Sequence, residues 1–266
     1  MKPPMQHLVT SEEPGAFEAV WRARFERYAR VHDDEALISG WSDAGLQRRV
    51  SLFRGLLPSL GLPDGARVLD LGCGGGTYVR LLGGLGHRVM GLDYSVPSLV
   101  RAVAADPGRK GRHYLAGEAY ALPFPAASFD LVVSIGVLQA LGEPYRALAE
   151  MARVARPGAA LVVEALNGRS GPALLHRAID RVMGRPRRVR SYAPAHVRAW
   201  LAAAGLEVGA EAGLCLPPRR FPALARLLDA RLADPVLNGV PGLTHLTAHS
   251  FLFVARKPGE RGGRRP

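Results

Sequence analysis

The sequence predicts an α/β fold in which a mostly parallel sheet follows an N-terminal helical layer. From residue 67 onward, short apolar runs alternate with helical patterns, as a parallel sheet with crossover helices requires. Before that point, residues 16–60 lack strand alternation, and their apolar residues recur at helical spacing. We therefore expect a helical lid over residues 1–62 and one α/β domain over residues 63–258, separated at Pro63-Asp64-Gly65.

The individual elements follow from local pattern and from the residues that begin and end helices. Two helical stripes fill the lid, namely Phe17, Trp21, Phe25 and Tyr28, and then Leu46, Val50, Phe53 and Leu57. Strands are expected at residues 67–71, 88–92, 113–116, 129–134, 159–165, 206–208 and 250–255. Helices are expected at residues 78–85, 96–105, 144–154 and 194–204, two of them beginning at Pro144 and Pro194.

Three segments do not fit the regular alternation of strands and helices. Two are inserts, at residues 168–192 and 214–249, and the second contains a helical stretch at 221–232. The third is the basic, glycine-rich tail at residues 259–266, which we expect to be disordered.

A glycine-rich loop after the first strand is the strongest functional signal. Residues 70–76 read DLGCGGG, and glycines let the chain turn tightly and let a ligand approach the backbone. Asp93 ends the second strand, where a carboxylate can accept both hydroxyl protons of a ribose. The loop and this acid together predict a bound nucleoside.

The glycine spacing disfavours a dinucleotide, which needs Gly-x-Gly-x-x-Gly. If Gly72 and Gly74 are the first two glycines of that motif, the third position is Thr77. If Gly74 and Gly76 are the first two, the third position is Val79. A nicotinamide-dependent oxidoreductase is therefore the less favoured interpretation.

The pattern Asp-x-Gly-x-Gly-x-Gly instead resembles motif I of the class I S-adenosylmethionine-dependent methyltransferases. A second match is Leu122-Pro123-Phe124-Pro125, which is similar to the stretch that leads into the fourth strand of that family. The resemblance covers about residues 68–165. It implies a Rossmann-like seven-stranded methyltransferase sheet whose last strand runs antiparallel beside the fifth, with S-adenosyl-L-methionine as the cofactor.

The resemblance also implies which residues hold the cofactor. Asp70 would lie near the methionine amino group, Asp93 at the ribose, and Glu118 near the adenine amino group, where the family commonly has aspartate. Tyr94 is a candidate for the adenine face, and Cys73 is expected to pack rather than react. The full predicted set is Asp70, Gly72, Cys73, Gly74, Gly76, Asp93, Tyr94, Glu118, Ala119 and Ile135.

Catalytic residues are not predicted, because a methyl group on a sulfonium is already activated and a base is optional. If a base is used, the candidates in or beside the inserts are His176, Tyr192, His245 and His249, with a structural role favoured for each. Tyr28 or Trp41 could close over the sulfonium, although a core role is favoured for both.

The acceptor is predicted to be a small molecule. The sequence lacks the Asn/Asp-Pro-Pro-Tyr/Phe motif of nucleic-acid amino methyltransferases, and it shows no set of acids for a magnesium-dependent site, so no metal is expected. The cluster Arg185, Arg187, Arg188 and Arg190 is a candidate for binding an acidic group, with a solvated loop as the favoured alternative.

The formal net charge of +12 keeps an RNA-directed methyltransferase or RNA binder as the alternative. However, nearly all cations are arginines, with only Lys2, Lys110 and Lys257 as lysines, which is typical of coding bias in a GC-rich bacterium. The two cysteines and the lack of a secretion signal or a long apolar span predict a cytoplasmic protein. Peripheral membrane contact stays open.

Overall fold

The computed structural model describes residues 14–32, 35–184, 189–215 and 243–259. Three helices precede the sheet, namely α1 (Pro14–Val31), α2 (Glu35–Ser39) and α3 (Asp43–Leu60). They confirm the N-terminal helical layer. Its first residues, 1–13, lie outside the described part of the chain.

Seven strands form a single sheet. They are β1 (Arg67–Leu71), β2 (Arg88–Asp93), β3 (Arg112–Ala116), β4 (Phe129–Ser134), β5 (Ala155–Leu166), β6 (Glu207–Leu214) and β7 (Ser250–Arg256). Their order across the sheet is β3-β2-β1-β4-β5-β7-β6, and β7 runs antiparallel to both of its neighbours. This topology confirms the predicted sheet, including the antiparallel last strand beside the fifth.

Helices connect the strands close to the expected positions. They are α4 (Thr77–Gly84), α5 (Val96–Ala104), α6 (Pro144–Val154), α7 (Gly171–Val182), α8 (Pro194–Ala203) and a short helix, Leu243–Thr247. None of the helices in the described part of the chain is long and apolar enough to cross a membrane. The location of the protein in the cytoplasm stays a prediction.

Three boundaries differ from the sequence expectation. Strand β5 begins at Ala155 rather than 159, because Ala155 already pairs with Phe129 of β4, and Pro157-Gly158 lies in a register shift before Ala160. Within that shift, the Gly158 N–H donates to the Lys257 carbonyl at 2.8 Å. Strand β6 continues to Leu214, and α7 occupies part of the first insert. The expected helix at 221–232 and the tail from residue 260 lie outside the described residues.

The core lies on both faces of the sheet, because successive side chains of a strand point to opposite faces. Val68 packs with Phe53 of α3 and Tyr78 of α4 on one face. Leu69 packs with Met151 of α6 and with α8 on the other. The sheet is therefore sandwiched between helices, and its strand ends remain available for a ligand.

Candidate active site

A cavity of about 1030 Å³, counted out to its open mouth, lies between the strand ends and the lid. It opens at the carboxyl ends of β1, β2 and β4, beside the point where the strand order reverses, which is where open parallel sheets bind ligands. Trp21, Phe25 and Ile38 of the lid line its other side. Its mixed apolar and polar wall suits a bound small molecule.

The glycine-rich loop folds back onto β2. The N–H groups of Gly72 and Cys73 both donate to the carbonyl oxygen of Leu92, at 2.7 and 3.1 Å. Gly72 has a φ of +74°, and a Cβ built there would lie 2.3 Å from Cγ2 of Val137. Only glycine fits both this backbone conformation and the space that is available. This part of the cavity wall is therefore formed by backbone atoms.

Asp93 joins the loop to the start of α5. Its Oδ2 accepts a hydrogen bond from the Gly74 N–H at 2.9 Å, and its Oδ1 accepts one from the Ser95 N–H at 2.8 Å. A carboxylate oxygen can accept more than one hydrogen bond, so both oxygens can still receive ribose hydroxyls. Burial raises the pKa of Asp93, and the two backbone N–H groups oppose that shift.

Asp70 lies just beneath the cavity wall. Its side chain is 1% exposed, and its Oδ2 has no hydrogen-bond partner among the described residues. Burial raises its pKa well above the ordinary range, and the nearby carboxylates of Glu35 and Asp93 act in the same direction. An unpartnered buried carboxylate is costly, so a cation placed beside it would be stabilising. The site therefore fits a donor that carries an ammonium group.

The side chain of Arg22, from α1, covers the far end of the cavity. Its Nη1 donates to Oε1 of Glu118 at 2.9 Å, and its guanidinium carbon lies 4.5 Å from the ring centroid of Tyr94. The Glu118 side chain is 51% exposed, so this ion pair contributes about 1 kcal/mol or less. Glu118 can therefore exchange Arg22 for another hydrogen-bond donor at small cost.

Two glutamates of the lid form hydrogen bonds with residues on the opposite side of the cavity rim. Neither glutamate could be identified from the sequence. Glu35 accepts hydrogen bonds from the Thr77 N–H at 3.1 Å, from Nη2 of Arg80 at 3.0 Å and from the Thr77 hydroxyl. Glu18 accepts one from the Gly142 N–H at 2.6 Å and one from the Tyr120 hydroxyl. Glu35 thus places a negative charge at the N-terminus of α4, where the helix dipole stabilises it.

Trp41 lines the cavity and is held in place from two sides. A Cβ built at Gly136 would lie 2.3 Å from Cζ2 of Trp41, so the ring packs directly on the backbone after β4. On its other side, the guanidinium carbon of Arg49 lies 4.3 Å from the ring centroid. Tyr28, the other aromatic candidate, lies outside the wall and packs edge-on against His32.

Most of the predicted cofactor-binding residues come together here. Eight of the ten line the cavity, namely Gly72, Cys73, Gly74, Asp93, Tyr94, Glu118, Ala119 and Ile135. The other two are Asp70, beneath the wall, and Gly76, which caps α4 with a φ of +84° and would place a Cβ 2.7 Å from the Tyr114 hydroxyl. The assignment of all ten to the cofactor stays a prediction.

The four candidate bases lie elsewhere. None of them is among the described residues that line the cavity. Nδ1 of His176 lies 2.8 Å from the Pro172 carbonyl on the exposed helix α7, and the Tyr192 hydroxyl donates to the Leu138 carbonyl at 3.1 Å. His245 packs against Phe251, and His249 is an exposed residue just before β7. Residues 216–242, beside the two histidines, lie outside the described part.

Comparisons with known proteins identify methyltransferases as relatives of this chain. A family model described as a methyltransferase domain matches residues 69–163. A malonyl-[acyl-carrier protein] O-methyltransferase from Pseudescherichia vulneris is 34% identical over 230 residues, 85% of this chain and 80% of the relative. A ubiquinone biosynthesis O-methyltransferase from Maricaulis maris is 30% identical over 73% of each chain. A tRNA U34 carboxymethyltransferase from Methylococcus capsulatus is 35% identical over 73% of this chain and 62% of the relative.

The fold is also found in solved structures. The complex between the Haloferax volcanii Trm112 methyltransferase activator and a methyltransferase contains a chain that matches with a TM-score of 0.63 and 20% identity. The match covers 88% of this chain and 97% of that one. Because the relative from Pseudescherichia vulneris is 34% identical over 85% of this chain and 80% of its own length, the protein belongs to the class I S-adenosylmethionine-dependent methyltransferases. It is an enzyme of that family, and its cofactor is S-adenosyl-L-methionine.

Binding of the demethylated cofactor, S-adenosylhomocysteine, is expected to weaken as the pH falls through the raised pKa of Asp70. The pKa of Asp70 is raised in the free protein, and an ammonium group beside it would lower that pKa. Binding then releases protons, and affinity rises with pH through the raised pKa. The free energy of unfolding of the free protein follows the opposite trend with pH. A carboxyl group whose pKa is higher in the folded than in the unfolded state stabilises the fold at low pH, and this contribution is lost as the pH rises through the raised pKa.

Titration calorimetry across this pH range measures the effect, with Asp70→Asn as the control. The variant has no ionisable group at this position, so its affinity should vary less steeply with pH than that of the wild type. Identical pH profiles for the two proteins would contradict the placement of the ammonium group beside Asp70.

Proposed function

We propose that this enzyme methylates a small-molecule acceptor, mainly by holding donor and acceptor in line and excluding water. The observation that carries this proposal is the lid over the strand ends. Helices α1 and α2 bring Trp21, Phe25 and Ile38 to the cavity, so the cavity is covered on the lid side and its wall is largely apolar. A covered, largely apolar space suits a small acceptor better than a folded nucleic acid.

Methyl transfer from this cofactor requires little from the protein beyond the positioning of donor and acceptor. When bound, the cofactor supplies a methyl group that is already activated on a sulfonium. Asp93 and the loop backbone would orient the nucleoside, while Trp41 and Val137 would exclude water from the reacting atoms, and such effects can supply several kcal/mol. Burial raises the pKa of the Cys73 thiol well above its usual value, so this side chain is not a nucleophile.

An oxygen atom is the first acceptor atom to test. Two of the relatives are O-methyltransferases, one named for malonyl-[acyl-carrier protein] and one for ubiquinone biosynthesis. Arg190 is the described member of the arginine cluster, and its buried Nη2 has no hydrogen-bond partner among the described residues. Its Nη1 donates to the Leu141 carbonyl at 3.2 Å, and its guanidinium carbon lies 4.1 Å from the Phe17 ring centroid. Arg185, Arg187 and Arg188 lie outside the described residues.

An RNA acceptor is the second candidate. It is favoured by the tRNA-modifying relative and by the net charge of +12. The nicotinamide-dependent oxidoreductase, by contrast, is set aside, because the chain belongs to a methyltransferase family.

The two candidate acceptors are distinguished by an incubation of the enzyme with methyl-labelled cofactor. One sample contains a metabolite extract and the other contains total RNA, both from a bacterial source. We expect label in metabolites that pass a small-pore filter. Label that is retained with RNA, and is lost after ribonuclease treatment, would overturn the small-molecule proposal. Because nucleic-acid binding is strongly salt-dependent, both incubations are repeated at high salt.

A further inference from the structure

Tyr78 has a buried hydroxyl group that the packing of the fold does not require. The residue is 5% exposed, lies in the first turn of α4 and lines the cavity. Its ring packs edge-on against Phe53 of α3, with ring centroids 5.2 Å apart. The hydroxyl oxygen itself has no hydrogen-bond partner among the described residues. Phenylalanine would make the same ring contact without the cost of a buried, unpaired hydroxyl.

The surroundings of this hydroxyl favour a hydrogen-bond donor. The charges of Glu164, Asp70 and Glu35 disfavour its ionised form, and burial does so most strongly, so the pKa of Tyr78 is raised. Arg49 opposes this but is itself bound to Glu164. The group therefore stays protonated, and it can donate a hydrogen bond to a ligand but cannot serve as a base near neutral pH.

Asp70 provides the complementary group on the same face of the sheet. Alternation along β1 places Asp70 on the face of Val68, whose core cluster contains both Tyr78 and Phe53. Within the described part of the chain, Asp70 has an unpartnered acceptor and Tyr78 has an unpartnered donor. The amino-acid end of the cofactor carries the matching pair, since its ammonium group donates and its carboxylate accepts.

We propose that the Tyr78 hydroxyl binds the carboxylate of the cofactor's methionine end, while Asp70 receives the ammonium group. This inference rests on the proposed placement of the donor beside the glycine-rich loop. It makes Tyr78 a binding residue that discriminates between ligands with and without that carboxylate. A buried hydrogen bond to a charged group is worth more than one between neutral groups, so its loss is measurable.

The test compares two ligands in titration calorimetry. One is S-adenosylhomocysteine, and the other is S-adenosyl-3-thiopropylamine, which keeps the amine but lacks the carboxylate. Tyr78→Phe is expected to raise the dissociation constant for the first about 10-fold and to leave that for the second within about twofold of wild type. An equal change for both ligands, or no change for either, would overturn the inference.

Tyr94→Phe is the matched control, because the Tyr94 hydroxyl is also buried and unpartnered among the described residues but lies beside Asp93. Any change it causes should be the same for both ligands, and a carboxylate-dependent loss as large as that of Tyr78→Phe would count against the assignment. A wild-type protein that binds neither ligand would instead refute the proposed cofactor site. The two failures are therefore distinguishable.

Discussion

Replacing Asp93 by alanine is expected to raise the dissociation constant for S-adenosyl-L-methionine about 100-fold, equivalent to about 2.8 kcal/mol. The carboxylate is the proposed acceptor of the ribose hydroxyl protons, and it also holds the N–H groups of Gly74 and Ser95 at 2.9 and 2.8 Å. Its removal would leave these buried donors without a partner and loosen the loop that forms the cavity wall. Titration calorimetry on the purified variant measures the change.

Asp130→Ala is the matched control. Its carboxylate also organises the sheet, by accepting from the Arg67 N–H at 2.8 Å and pairing with Arg156 at 2.6 Å, but at the opposite ends of the strands. Its affinity for the cofactor should stay within about twofold of wild type, because distant sites act independently. If Asp93→Ala has the melting temperature and the cofactor affinity of the wild type, Asp93 does not bind the cofactor and the proposed site is wrong.

The sheet and the glycine-rich loop could be predicted because their signals are local. Apolar runs of strand length and the four glycines of residues 70–76 are properties of short stretches, and each constrains its own backbone. The order of the strands then followed from a family resemblance over residues 68–165. Asp93 could be placed beside the loop because one helix and one strand separate it from Gly76.

The contacts of the lid could not be predicted in the same way. Glu35 binds Thr77, which is 42 residues away, and Arg22 binds Glu118, which is 96 residues away. Neither pair leaves a periodic pattern, because charged residues are frequent and their partners depend on how the helices dock. Tyr78 was missed for a related reason, since an aromatic residue in a helix resembles any core residue until its hydroxyl is found to lack a partner among the residues that the structure describes.

Strand β5 shows how a correct local signal can be misread. Pro157-Gly158 is a common way to end a helix, and α6 does end at Val154. The pattern therefore predicts that the strand begins only at residue 159. The partners of this stretch are distant in sequence, since Ala155 pairs with Phe129 of β4, and the Gly158 N–H donates to the carbonyl of Lys257, about 100 residues further along the chain.

Removing the charge of Arg49 is expected to have the largest effect on stability. Arg49 of α3 and Glu164 of β5 are 1% and 0% exposed, and their Nε and Oε1 atoms lie 2.9 Å apart. Ser250 also donates to Oε1 of Glu164, at 2.6 Å. Arg49→Met would leave the Glu164 carboxylate buried without its cation, which typically costs about 3–5 kcal/mol. Urea unfolding measures the loss as a lower transition midpoint.

The double variant Arg49→Met/Glu164→Met separates stability from function. A buried ion pair can be replaced by apolar residues of similar volume with little or no loss of stability, so the double variant should unfold close to the wild type. It would nevertheless lose the guanidinium that lies 4.3 Å from the ring of Trp41. With one support gone, the Trp41 ring would be less firmly held against Gly136, and methyl transfer should slow although the fold is intact. A double variant as unstable as the single one would show that the loss does not come from the uncompensated Glu164 carboxylate.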